Sequence, residues 1–411
     1  MTAEQKLTEG TKEEDLRPLY VRQVLNSLGS GMVSPFMGAY AVELGASSSD
    51  MGWFQSVSNL SNNVMQIVWG GLSDRFRRRM PFIVAGGLIV AALYAPTLIV
   101  NVPYQLIILL GMQALLGSMA TPAWTALIGE LVPSTKLGQT NAKIIMYAQV
   151  GGLVATLGSG IVMILVGGSY HQMLLIPVIV AMAFGVASSL IMLRTKEKAG
   201  RKPEQQIWPE KLSIAEIIRG SPDFPRYCSV VATYEFFMSM SWPLFSITQV
   251  KVLNASPLQI ALLSVVQMLV MIVFQRWTGR HADIVGRKSL LVAFRFILVT
   301  VPVAYAVSPD MNILIVVSVF WGFAQVIGQT AAATYLLDIA PREHRGSFIA
   351  VFNLIIGVVT FFGSLLGGYL ADYLTTMYGM VIAIQIVYLL STVGRIAGAA
   401  LHMTVRETLR R

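Results

Sequence analysis

Long, uninterrupted apolar runs dominate the chain, and polar residues gather between them. Residues 81–100, 173–193 and 378–394 contain no Asp, Glu, Lys or Arg. Barrel strands would instead alternate apolar and polar positions over about ten residues. A helix of ~20 residues crosses a hydrocarbon core of ~30 Å. Twelve runs of that length predict helices over 19–43, 51–73, 81–101, 105–132, 142–168, 173–194, 224–250, 257–279, 289–308, 313–340, 348–374 and 380–403.

Composition sharpens this reading. Of 411 residues, 55% are hydrophobic and only 12% charged, where a soluble domain carries about 25% charged residues. A soluble enzyme, a nucleic-acid-binding domain and a disordered chain are therefore excluded together. Only helices and closed barrels satisfy their backbones in lipid, so the predicted fold class is an all-α membrane protein of twelve transmembrane helices. The single cysteine, Cys228, permits no intrachain disulfide. Residues 1–18 are polar and acidic, without the basic-then-apolar order of a cleaved signal, and are expected to be a cytoplasmic tail.

The net charge of +9 is explained by its placement. With twelve spans, the links 44–50, 101–104, 168–172, 251–256, 309–312 and 375–379 share one side, and of 30 Lys and Arg only Lys251 lies there. The other 29 lie in the opposite links, the tails or the adjoining helix ends. This asymmetry places both termini in the cytoplasm of a cell (inner) membrane protein, with no nucleic-acid partner.

The chain also repeats itself. GGLSDRFRRR at 70–79 recurs as GRHADIVGRK at 279–288, and GELVPSTKLG at 129–138 recurs as LDIAPREHRG at 337–346. The offset is 209 residues for Asp74 and Asp283, and 208 for Glu130 and Asp338, Pro133 and Pro341, and Gly138 and Gly346. The expected organisation is a tail (1–18), a six-helix bundle (19–194), a polar cytoplasmic linker (195–223), a second, pseudo-symmetric six-helix bundle (224–403) and a short tail (404–411). Such a duplication points to transport at a site between halves.

These motifs resemble the major facilitator superfamily. Its G-x-L-A/S-D-R/K-x-G-R-R/K stretch is matched by Gly70, Leu72, Ser73, Asp74, Arg75, Arg78 and Arg79, with Arg77 in the glycine position. The echo is matched by Gly279, Ala282, Asp283, Gly286, Arg287 and Lys288, and the P-x-x-x-R-G corner by Pro341, Arg345 and Gly346. The resemblance implies a twelve-helix secondary transporter, usually monomeric, whose cytoplasmic latch would comprise Asp74, Arg75, Arg78, Glu130, Asp283, Arg287, Asp338 and Arg345. Glu130 and Asp338 are expected to pair with the Arg78/Arg79 and Arg287/Lys288 clusters.

Ionisable groups inside spans are functional candidates by default. Glu235 lies about 11 residues into the seventh span, near the midplane, and is the proton-coupling candidate; the alternative is a structural carboxyl. Its first-half counterpart is Asn26. Arg295 and Arg395 are expected to snorkel to the cytoplasmic face, and Glu43 and Asp372 to sit at wetted outer ends or an outer gate. The four histidines fall in links or near helix ends, so no buried histidine relay is expected. The resemblance implies a central cavity, for which Asn26, Tyr40, Asn59, Asn63, Gln66, Gln113, Trp124, Tyr147, Gln149, Trp242, Gln267, Trp321, Gln325 and Gln329 are the substrate-contact candidates; interhelical hydrogen bonding would use the same residues. Gly363 and Gly367 form a G-x-x-x-G step for close helix approach.

The expected function is secondary active transport of a small organic solute by alternating access, coupled to protons, with no cofactor, metal or catalytic residues. The rivals are a multidrug efflux pump, against which the missing helix-5 proline motif argues, and an uncoupled facilitator. A receptor or scramblase on the same fold stays open, and no constellation for a membrane enzyme is found.

Overall fold

The computed structural model describes residues 13–76, 78–132, 134–195, 216–217, 222–341 and 344–408, without the side chains at 13–15, 74, 134–135, 276 and 279–285. Among the described residues there is no strand. Twelve helices follow one another: α1 (Glu13–Glu43), α2 (Ser48–Phe76), α3 (Met80–Leu98), α4 (Pro103–Leu131), α5 (Ser134–Val166), α6 (Tyr170–Ile191), α7 (Asp223–Ile247), α8 (Pro257–Val285), α9 (Arg287–Val307), α10 (Met311–Ile339), α11 (Arg345–Tyr378) and α12 (Met380–His402). Nine of these described helices are long and apolar enough to cross a membrane. The other three, α1, α2 and α7, carry Asn26, Ser30 and Ser34, then Asn59, Asn62 and Asn63, then Glu235 and Ser239. Their lower hydropathy reflects the polar residues of interest.

The chain forms two compact units. The first comprises Met1–Tyr40 with Met65–Lys202, and the second Ala41–Val64 with Pro203–Arg411. Helix α2 therefore contributes its first part to one unit and its last part to the other. In the first unit, Leu19, Ile83, Leu127 and Met192 anchor an apolar core. The backbones of α1 and α5 approach closely, because a Cβ on Gly31 would lie 2.7 Å from the Gly152 carbonyl. In the second unit, Phe224, Tyr227, Tyr335 and Phe348 form an aromatic core, with Tyr227 and Tyr335 4.6 Å apart. Gly363 and Gly367 seat α11 on the α7 backbone, where a Cβ would collide with the carbonyls of Phe236 and Met240.

Local sequence sets the helix ends. Ser169 with Gln172, and Ser256 with Gln259, form reciprocal capping boxes that start α6 and α8. Helix α4 breaks at Ser118 and Met119 and resumes at Ala120. Pro122 causes the break, since it offers no N–H to the Ser118 carbonyl.

Prolines inside helices also free carbonyls, which lipid cannot satisfy. Three of the freed oxygens find a side-chain donor on another helix. Pro35 frees Gly31, whose carbonyl accepts from Thr156 Oγ1 at 3.0 Å. Pro243 frees Ser239, which accepts from Ser364 Oγ at 3.3 Å. Pro302 frees Leu298, which accepts from Arg395 Nη1 at 2.8 Å. Beyond Pro243, α7 ends in a π-helical turn over Thr248–Val252.

Candidate functional site

The second unit holds a charged cluster within its spans. Glu235 projects from the middle of α7, and its Oε1 accepts from Arg295 Nη1 of α9 at 2.7 Å. The side chains are 12% and 4% exposed, so the pair is largely desolvated. The Arg295 guanidinium lies 4.3 Å from the Tyr234 ring centre and 4.9 Å from that of Phe294. Tyr234 donates to the Arg295 carbonyl at 2.9 Å, which fixes α7 against α9. The arginine is thus held by two ring faces and one carboxylate.

Arg395 of α12 completes the cluster. Besides the Leu298 carbonyl, it donates through Nη2 to the Met238 carbonyl at 3.1 Å and to Ser241 Oγ at 2.5 Å. Snorkelling is therefore incorrect for both arginines, since Arg295 and Arg395 are 4% and 1% exposed. Their planar forks match acceptors inside the bundle, which holds them more firmly than a reach to the interface would. His402, the last residue of α12, is also buried. Its Nδ1 lies 2.8 Å from the Gly398 carbonyl and its ring stands edge-on to Tyr234.

The other expected cavity residues take several environments. In the first unit, Asn26 and Tyr147 are exposed and Gln66 is half-buried. Trp124 stacks under Arg22, 4.1 Å from its ring centre. Gln113 donates to the Val90 carbonyl at 3.3 Å. Half-buried Gln149 has a side-chain oxygen without a partner. Tyr40 lies within a packed network, bonded to the Thr97 and Val100 carbonyls and to His171 Nδ1 at 3.0 Å.

In the second unit, Asn59 and Asn63 donate back to the carbonyls of Gln55 and Asn59 at 2.7 and 2.8 Å. Trp321 is buried, stacked on Tyr305 and bonded to Thr300. Gln325 and Gln329 are exposed one turn apart on α10, and Trp242 and Gln267 are half-buried.

The expected latch charges divide similarly. Arg79 pairs with Glu130 at 3.2 Å, and Arg287 with Asp338 at 3.3 Å. Arg75 and Arg78 are exposed and Arg345 is half-buried. The side chains of Asp74 and Asp283 lie outside the described residues. The start of α9, after Gly286 with φ +102°, is capped by Glu407, which accepts from the N–H groups of Arg287 and Lys288 at 3.1 Å each.

At the end expected to face outward, Glu43 is exposed, whereas Asp372 of α11 caps α2 across 324 residues of sequence. Its carboxylate accepts from the Ser48 and Ser49 N–H groups at 2.9 and 2.8 Å. A carboxylate at a helix N-terminus gains from both bonding and dipole. Trp53 Nε1 donates to Tyr369 at 3.0 Å alongside.

Helix-length apolar spans, a duplicated sequence and intramembrane charges define a polytopic α-helical membrane protein of the solute-carrier type. The chain belongs to the Major Facilitator Superfamily, whose sequence profile matches residues 19–237 and 227–408. An uncharacterised MFS-type transporter of Methanocaldococcus jannaschii is 21% identical over 88% of this chain and 90% of that protein. Among solved structures, the nucleoside transporter NupG superposes with a TM-score of 0.73 at 13% identity, covering 96% of this chain and 99% of that one. A D-xylose-proton symporter superposes with a TM-score of 0.68 at 14% identity, covering 95% and 97%. These similarities establish a transporter family and its fold.

Proposed function

We propose that this protein is a proton-coupled secondary transporter. It moves a small organic solute across the cell membrane by alternating access, with Glu235 as its proton-carrying group. The observation that carries this reading is the Glu235–Arg295 pair at 2.7 Å within the spans of α7 and α9. A carboxylate that binds a proton loses its charge and its hold on Arg295; one that releases it restores the pair. The pair therefore has two states separated by one proton, which a transport cycle requires. Arg295 is a positioning residue, held for this exchange by Tyr234 and Phe294. The cytoplasmic placement of both termini, on the positive-inside asymmetry, and the monomeric state that the family resemblance implies belong to the same proposal.

The test uses protein in proteoliposomes carrying an internal pH dye, supplied in turn with galactose, xylose, uridine, lactate and succinate under an imposed pH gradient. The wild type should accumulate its solute with movement of protons. Glu235→Gln should retain solute exchange and lose the response to the gradient. A Glu235→Gln protein that accumulates solute with undiminished dependence on the gradient would refute the coupling role.

A further inference from the structure

Three arginines are buried among the described residues, Arg22, Arg295 and Arg395, and no Asp or Glu reaches the same burial. Two have evident partners. Arg295 holds Glu235, and Arg395 serves the carbonyls of Leu298 and Met238. Arg22 is different. It lies in the first unit, 7% exposed, and its guanidinium covers the Trp124 ring at 4.1 Å. None of its five N–H donors bonds to any described residue, and no carboxylate pairs with it. A desolvated charge with unused donors is costly unless something completes it.

The surface beyond Arg22 is polar. Asn26, Ser30 and Ser34 follow at steps of four along α1, and all three are exposed. Steps of four place residues on one ridge of a helix. Polar side chains inside a membrane-spanning helix are favoured on a face that meets water rather than hydrocarbon, and Ser30 Oγ also bonds back to the Ser27 carbonyl at 3.4 Å. Arg22 therefore closes one end of a wet, neutral, hydrogen-bonding wall, with an indole beneath it that fixes the guanidinium plane.

We infer that Arg22 on Trp124 is a binding site for an anionic group, a carboxylate or phosphate, and that the transported solute carries it. The assignment rests on the transport reading and narrows its substrate class to organic anions. The fork would take two oxygens of one anion, as guanidinium–carboxylate and guanidinium–phosphate pairs do. A negative solute carried with a proton would cross as a neutral pair.

The experiment is ligand-induced thermal stabilisation in phosphatidylcholine nanodiscs, which needs no transport. The probes are lactate, succinate, inorganic phosphate and glycerol 3-phosphate, with lactamide, succinamide and glycerol as neutral counterparts. At least one anion should raise the melting temperature while its neutral counterpart does not. Arg22→Gln should weaken that anion at least tenfold, and Arg22→Lys, which keeps the charge but loses the fork, should weaken it less. Without ligand, Arg22→Gln should melt close to the wild-type temperature, because no hydrogen bond or ion pair is lost and only the Trp124 ring contact goes.

A parallel arm adds phosphatidylglycerol to the nanodiscs. Stabilisation by that lipid alone, lost in Arg22→Gln, would keep the anion site but overturn the solute assignment. Absence of any anion effect would overturn the proposal, as would an effect unchanged in Arg22→Gln or a marked loss of ligand-free stability in that variant. None of these results touches the Glu235 coupling test, so the two readings fail separately.

Discussion

Replacing Glu235 with alanine removes the carboxylate that holds Arg295 and leaves the guanidinium in a site that is 4% exposed. Breaking a buried ion pair by deleting one partner costs about 3–5 kcal/mol. The Glu235 side chain is 12% exposed, and the arginine keeps the faces of Tyr234 and Phe294, so the lower end applies, about 3 kcal/mol. Most of this is the penalty of a stranded charge rather than the net value of the pair. Removing the charge as well should therefore restore stability. Glu235→Ala with Arg295→Met should lie within about 1 kcal/mol of the wild type, since apolar replacement of a whole buried pair is near neutral. Unfolding in mixed micelles, followed by tryptophan fluorescence for the wild type, both single variants and the double variant, gives the interaction energy. A Glu235→Ala cost under about 1 kcal/mol, or single effects that simply add, would show that the contact carries no coupling and refute the reasoning.

Arg395→Met should destabilise by about 1–3 kcal/mol, because the carbonyl freed by Pro302 loses its donor; adding Pro302→Ala restores a backbone N–H for that oxygen and should recover part of the loss in the same assay. Asp372→Ala should speed amide hydrogen exchange over residues 48–56 by about tenfold or more, since two charge-assisted caps are lost, whereas Glu43→Ala at an exposed position should not. Gly367→Val should lower folded yield and melting temperature, costing about 1–3 kcal/mol or more by overpacking, while Gly346→Ala, with nothing within 4 Å, should leave both unchanged in size-exclusion and thermal assays.

The helix count was legible because hydrocarbon tolerates no interruption: each run had to be continuous, and the links had to collect the charge. The Arg79–Glu130 and Arg287–Asp338 pairs were legible because a repeat with offsets of 208 and 209 residues brings equivalent corners into view. Arginine burial was not. Depth along a helix follows from residue number, but the direction a side chain takes depends on neighbouring helices. Arg295 and Arg395, toward the end expected to be cytoplasmic, look like snorkelling residues until Glu235 and the Leu298 carbonyl are placed beside them. One signal was present, because Pro302 inside a span announces an oxygen in need of a donor. Arg22 escaped notice for a related reason. Near the start of α1 it reads as one more positive-inside charge, and only the Trp124 face and the absence of a counter-ion separate it from the others. The described part of α1 is already helical at Glu13, ahead of residue 19, because helix propensity carries the polar segment beyond the apolar run.

Helix α2 belongs to two bodies at once, passing from the second unit to the first between Val64 and Met65. Just before that passage, Asn59 and Asn63 turn their amides onto the carbonyls one turn back. Such back-bonding competes with the helical ladder and makes a helix easier to bend. The rod is thus stiffly clamped at its first turn by Asp372 and compliant in its middle. That stretch can flex about its asparagines while its clamped end stays seated. Stiffening it by replacing Asn59 and Asn63 with leucine would leave the bonded ends intact and tax only the motion.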